Sequence, residues 1–328
     1  MSGATRPPAA GVRSLAQLLA QQPPTAPPGL IEPGLLPASG ILFVGGEPKV
    51  GKSLLVTNLA LALAAGLDAA GFVVPAPRRV LLCQFELPLA QLVRRLSIMR
   101  RRLGPAADQH LCVDTEAAGH LLSAPEGLGH FLAAAEAAAA EVLVLDPLYS
   151  AHDQDENDTR AMAALCQSLL RLRDAAQAAL IVVHHVRKSI GREEIGSAFR
   201  GSSALHAVGD SYLLLTRPAP PVPTLELRFQ FRYGAPQPPR LLALDPDTLW
   251  FAPAGQSPSP PATSRRKVDA AAVRQAVADL GGQARYTELR QHLMRHAACS
   301  KRTAQLAITA ACEHGVIVPD NHHYRLPA

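Results

Sequence analysis

Five short apolar runs in the first two thirds of the chain constrain its fold more than any other feature: ILFVG (41–45), VLLCQF (80–85), VLVLD (142–146), LIVVHH (180–185) and YLLL (212–215). Each run is continuous rather than alternating, and longer segments of helical period separate them. A half-exposed strand alternates polar and apolar residues, whereas a continuous run fits a strand covered on both faces. The pattern therefore predicts an α/β unit, with a mainly parallel sheet and helices on both faces. Two more runs, LELRFQF (225–231) and RLLALD (240–245), flank the proline-rich GAPQPP and predict an antiparallel hairpin at the sheet edge.

Composition shifts mark the ends of this unit. Residues 1–30 are rich in Pro, Ala and Gln and cannot bury enough apolar surface to fold alone, which predicts a flexible arm. Residues 253–266 cluster Pro and Ser without any hydrophobic period, which predicts a linker. The chain then divides into an arm (1–30), an α/β domain (31–252), the linker, and a small domain over 267–328. A length of 328 residues, beyond the usual size of one core, agrees with two domains.

The longest apolar stretch, Leu54 to Leu67, is broken by Thr57 and Asn58 and is shorter than the roughly 20 residues of a membrane span. It reads as a buried helix, and no membrane partner is expected. The N-terminus has no basic segment followed by an apolar core, so no signal peptide is expected and the cytoplasm is the expected compartment. Cys83, Cys112, Cys166, Cys299 and Cys312 form no CxxC pair and no zinc-ligand spacing, which predicts reduced and mostly buried thiols.

Directly after the first apolar run stands Gly46-Glu47-Pro48-Lys49-Val50-Gly51-Lys52-Ser53, followed by Leu54 and the predicted helix. A G-x-x-x-x-G-K-S sequence between strand and helix is a phosphate-binding loop. Its glycines let backbone N–H groups turn toward phosphates, Lys52 reaches the β- and γ-phosphates, and Ser53 ligates Mg²⁺. The chain has 27 Arg and 5 Lys, yet uses Lys at the one position where a compact point charge suits a phosphate.

Other polar residues stand at or just after the apolar runs. The second strand is expected to end in Glu86, where a carboxylate can act as general base on water or merely solvate a helix start. Asp146 closes VLVLD, either as a second ligand to Mg²⁺ or as a turn residue. His184 and His185 end their run, and alternation turns only one of them toward a γ-phosphate. Arg200 and Arg217 are each an arginine finger or a surface arginine.

The order of these motifs, ending in RGSSAL, Asp210 and Arg217, resembles the RecA/DnaB-type P-loop ATPases, and among them the RepA-like plasmid and phage replication helicases. The resemblance covers roughly residues 30–250. It implies a RecA-like core and a ring, usually a hexamer, with ATP at the subunit interfaces. It also implies Lys52 and Ser53 on ATP and Mg²⁺, Glu86 as base, Asp146 on Mg²⁺ and His185 as γ-phosphate sensor. Arg200 and Arg217 match two arginines of which at least one serves a neighbouring subunit. The loop from Arg187 to Phe199, with Lys188 and Arg192, matches a DNA-contacting loop, so single-stranded DNA is an implied partner. The middle of the phosphate loop, Glu47-Pro48-Lys49, is bulkier than the Gly/Ser-rich versions.

The formal charge of +5 lies in the last fifth of the chain, where residues 264–328 hold ten Lys/Arg against five Asp/Glu. AAAVRQAVADLGG, YTELRQHLMRH and SKRTAQLAITAACEHG read as three helices, the third capped by Ser300 and stopped by Gly315. VIVPDNHHYRLP reads as a hairpin with a Pro-Asp-Asn turn. This segment resembles a winged helix-turn-helix domain. Lys301, Arg302, Thr303 and Gln305 would lie on the first turns of its recognition helix, with Arg325 and the wing histidines near the backbone of duplex DNA. Two functions fit: a ring-forming DNA-dependent ATPase of plasmid or phage replication, or a DNA-binding regulator that ATP switches without translocation.

Overall fold

The computed structural model describes residues 13–20, 28–186, 195, 199, 203–218, 224–256, 268–297, 299, 301–320 and 323–327. The chain divides into two compact units, Met1–Ser257 and Pro258–Ala328.

The first unit is built on a nine-stranded sheet of order β3-β2-β4-β5-β1-β6-β7-β8-β9. The predicted runs become β1 (Ile41–Gly46), β2 (Val80–Gln84), β4 (Val142–Asp146), β5 (Ala179–His185) and β6 (Ser211–Thr216). All pair in parallel, and β3 (Leu111–Asp114) adds a further parallel strand beside β2. From β6 onward the pairing is antiparallel through β7 (Thr224–Phe231), β8 (Arg240–Leu244) and β9 (Phe251–Gln256). The expected hairpin of β7 and β8 is present, but β9 lies outside it and forms the edge.

Alternate residues of the parallel strands feed two hydrophobic cores. On one face Leu42, Val44, Val142 and Val144 pack with Leu55, Leu59 and Leu63 of α2 (Lys52–Ala65) and with Leu92 and Met99 of α3 (Leu89–Arg100). On the other, Ile41, Phe43, Leu143 and Leu145 pack with Phe131 of α4 (Pro125–Ala137) and with Leu165, Leu169 and Leu172 of α5 (Thr159–Ala176). The helix α2 is apolar around its whole circumference because it lies between the sheet, α3 and the segment leading into β9. Residues Leu15–Ala20 form the short helix α1, none of whose residues is buried.

One polar residue fixes α2 in this apolar setting. Asn58 is fully buried; its Nδ2 donates to the Leu249 carbonyl at 3.1 Å and its Oδ1 accepts from the Phe251 N–H at 2.8 Å. Nearby, the Trp250 indole donates to the Met99 carbonyl at 2.9 Å.

The second unit has helices Ala270–Asp279, Tyr286–His296 and Lys301–Glu313 and, with β10 spanning Gln283–Arg285, a small sheet of order β10-β12-β11. Its own core contains Val273, Val277, Leu289, Leu293, Ile308 and Ile317. Gly315, at φ 66°, follows the last helix as expected, while Ser300 lies outside the described residues. Of the expected Pro-Asp-Asn turn, Pro319 and Asp320 instead belong to β11 (Val318–Asp320), where they pair with Tyr324 and His323 of β12 (His323–Arg325), and Asn321 lies outside the described residues.

Replacing Asn58 with Leu keeps the apolar setting and orphans two backbone groups, a loss of about 1–3 kcal/mol for each. Asn58→Leu is expected to lower the unfolding midpoint of the first unit by roughly 5–10 °C. The fluorescence of the single tryptophan, Trp250, buried beside the clamp, checks this; an unchanged midpoint would show that the clamp adds no stability.

Candidate active site

The site grows from the carboxyl ends of four adjacent strands. Register aligns Gly46 of β1 with His185 of β5, and Gln84 of β2 with Asp146 of β4, so their side chains and the loop after β1 meet at one sheet edge. The crevice beyond the carboxyl ends of a parallel sheet is where such sheets receive ligands.

The loop after β1 is shaped by close approach and by backbone handedness. A Cβ at Gly46 would come within 2.7 Å of the Leu215 carbonyl on β6, so only glycine fits there. Gly51 adopts φ 110° and precedes α2 without any side-chain cap, leaving its first-turn N–H groups to an outside acceptor. Pro48, Lys49, Gly51, Lys52, Ser53 and Leu54 line a cavity of about 710 Å³. Glu47 is half-buried, Val50 joins the core, and Gly46 packs on β6, so these three hold the loop rather than line the cavity.

Lys52 is 4% exposed, and its ammonium donates to the carbonyls of Gly46 at 2.8 Å and Glu47 at 2.9 Å. Burial lowers its pKa to about 8, against the opposing pull of Asp146 and Glu86. Its third contact, 3.2 Å to His185 Nδ1, makes that nitrogen an acceptor and puts the imidazole proton on Nε2. Burial and the Lys52 charge both hold the His185 pKa below its ordinary value.

Asp146 is 1% exposed and shared between two donors: Ser53 Oγ reaches its Oδ1 at 2.9 Å, and Gln84 Nε2 its Oδ2 at 3.0 Å. Burial raises its pKa to about 6 despite the Ser53 bond and the nearby charges of Arg95 and Lys52. Glu86 lies two residues beyond β2 rather than at its end, exposed on the cavity wall, where Ser150 Oγ donates to its carboxylate at 3.1 Å.

His184 faces away, as alternation requires. It is buried, its ring lies against Phe199 with centroids 6.3 Å apart, and burial lowers its pKa to about 4. Arg217 is exposed and donates to the carbonyl of Lys49 at 3.0 Å, in the loop of its own chain. Lys188, Arg192 and Arg200 lie outside the described residues, as does the side chain of Arg302. In the second unit Lys301 and Gln305 are exposed on the first turns of the last helix, opposite the buried Ala304 and Ile308. Arg325 pairs with Asp320 at 3.1 Å.

Sequence motifs do not reveal four of the contributors: Gln84, Ser150, Arg95 and Glu156. Gln84 carries a signal, being the one amide inside the otherwise apolar run VLLCQF. Arg95, on α3, and Glu156 line the cavity from segments with no motif spacing.

Residues 6–190 match the family described as AAA domain. No curated protein matches the chain. Among solved structures, the ATPase domain of G40P superposes with a TM-score of 0.51 at 14% identity, over 66% of this chain and 84% of that one. A DnaB-like replicative helicase, solved in the context of its interactions with primase, gives the same score and identity over 66% of this chain. The chain spans 57% of the length of that helicase. At such identities the likeness establishes the fold, which is that of the RecA/DnaB-type P-loop ATPases. Since the family match runs over more than half of the 328 residues and includes the phosphate loop, the chain belongs to the AAA domain family of ATPases.

Proposed function

We propose that this ATPase is a ring-forming, DNA-dependent enzyme of the RepA-like helicase type, acting in the cytoplasm in plasmid or phage DNA replication. The observation that carries the hydrolytic half of this reading is the hydrogen-bonded series Ser53, Asp146 and Gln84, continued through the backbone to the exposed Glu86 beside one cavity.

The donor set suits Mg²⁺: a hydroxyl and a carboxylate oxygen 2.9 Å apart, both hard ligands that leave most positions to water and phosphates. Ser53 and Asp146 would hold the ion, which when bound would supply positive charge against that developing on the phosphates. In this reading Lys52 holds the β- and γ-phosphates, Leu54 flanks the nucleotide, and Glu86 accepts the proton of the attacking water. His185, already in contact with Lys52, senses the γ-phosphate. Lys188 and Arg192 contact single-stranded DNA.

We read the second unit as a winged helix-turn-helix domain binding duplex DNA. Support comes from its three helices and three-stranded sheet, the exposed Lys301 and Gln305, and the concentration of positive charge over 264–328.

The cheapest test is ATP turnover with and without single-stranded DNA. DNA should raise kcat, and Lys52→Ala should abolish turnover in a chain that still folds. DNA-indifferent ATP binding with negligible turnover would instead favour an ATP-switched regulator.

Removing residues 258–328 should leave an active ATPase with weaker duplex binding. Several phosphate-neutralising side chains leave together, so the slope of log K against log salt should become shallower by roughly one unit for each phosphate that they neutralise. An unaltered slope would assign the second unit to a protein partner.

Arg200 and Arg217 are proposed to complete the active site of the next subunit in the ring, where a finger supplied in trans is worth roughly 10³- to 10⁵-fold in rate. In the isolated chain Arg217 rests on its own loop at Lys49, so ring closure would have to release it. A Lys52→Ala subunit and a subunit lacking both arginines should each be inactive, and mixing them should restore part of the activity. If mixed oligomers form and nothing returns, both arginines act within their own subunit.

A further inference from the structure

We propose that Gln84 is a positioning residue, holding the Glu86 backbone and the Asp146 carboxylate in one fixed relation so that base and metal ligand address the same nucleotide. The inference rests on the reading of Glu86 as the base.

Gln84 is the last residue of β2 and lies directly across from Asp146 in the parallel register with β4. Its side chain is nearly buried, at 9% exposure, and both its amide nitrogen and its amide oxygen are engaged. Nε2 donates to Asp146 Oδ2 at 3.0 Å, while Oε1 accepts the N–H groups of Glu86 at 2.6 Å and Leu87 at 3.0 Å. These contacts admit only one amide orientation, because a flip would set the amide oxygen against the carboxylate and the NH₂ against two N–H groups.

The turn after β2 depends on this side chain. Among the described residues the Glu86 carboxylate has one hydrogen bond, from Ser150, and is otherwise exposed. Its backbone is fixed through Oε1 of Gln84. Asn is too short to span from Asp146 to both N–H groups, and Glu would set a second carboxylate against the first. A misplacement of about 1 Å at a reacting group costs on the order of 10²-fold in rate, so the chemical step, rather than nucleotide binding, is what Gln84 protects.

The test is a double-mutant cycle on the full chain, read as kcat and KM for ATP. Gln84→Met should lower kcat by at least about tenfold with KM within about threefold of the parent, at a temperature where Trp250 fluorescence shows the chain folded. In a Glu86→Gln background the same change should cost several-fold less than in the parent, since the base it positions is gone and only its contact with Asp146 is left to lose. Gln84→Glu keeps both accepted N–H bonds, loses the donation to Asp146 and sets a second carboxylate against it; its kcat should fall at least about fivefold. It decides the matter should the Met variant fail to fold. Equal fold-losses of Gln84→Met in the two backgrounds, or a parental kcat in either single variant, would overturn the proposal. If Glu86→Gln alone keeps turnover within a few-fold of the parent, the assignment of the base fails instead, a result separate from the coupling.

Discussion

The nucleotide site depends on a buried carboxylate. Asp146 is withdrawn from water at the end of β4, a placement that costs several kcal/mol unless the charge is satisfied. The compensation comes from three different segments: Ser53 at the start of α2, Gln84 at the end of β2, and the charges of Lys52 and Arg95. Burial outweighs these contacts and raises its pKa to about 6. Removing any one contributor leaves the others arranged around an anion they cannot fully satisfy.

Satisfying that anion also orders the neighbours. The same amide that donates to Asp146 accepts from the turn bearing Glu86, and the ammonium near Asp146 is tied to the loop carbonyls and to His185. The polar centre of the site is thus a connected network whose members lie on four adjacent strand ends, positioned by the register of an apolar sheet.

Much of this was legible in the sequence because it follows from periodicity. Continuous apolar runs located five parallel strands, and strand alternation turned His185 to the cavity and His184 to the core. What stayed hidden had weak local signals. The strand β3 is four residues long and only half covered, so it lacks a continuous apolar run, and β9 contains Pro253, which argues against a strand from sequence alone. Tertiary partners carry no local signal at all: Asn58 reads as a polar interruption of a helix until Leu249 and Phe251 arrive from about 190 residues away. Gln84 is similar, since its meaning depends on which strand lies next to it. Pro319 and Asp320 read as turn residues because Pro-Asp favours turns locally, while pairing with Tyr324 and His323 extends β11 through both.

The uniform burial of α2 has a mechanical consequence. A helix enclosed on every side and pinned by Asn58 can neither roll nor slide without opening the core, so Lys52 and Ser53 form a stationary jaw. The opposite jaw is of another kind. Glu86 sits on an exposed turn, and Tyr149, which also lines the cavity, is 59% exposed. Any closure around a nucleotide must therefore come from that wall, with the phosphate loop serving as the anvil against which it works.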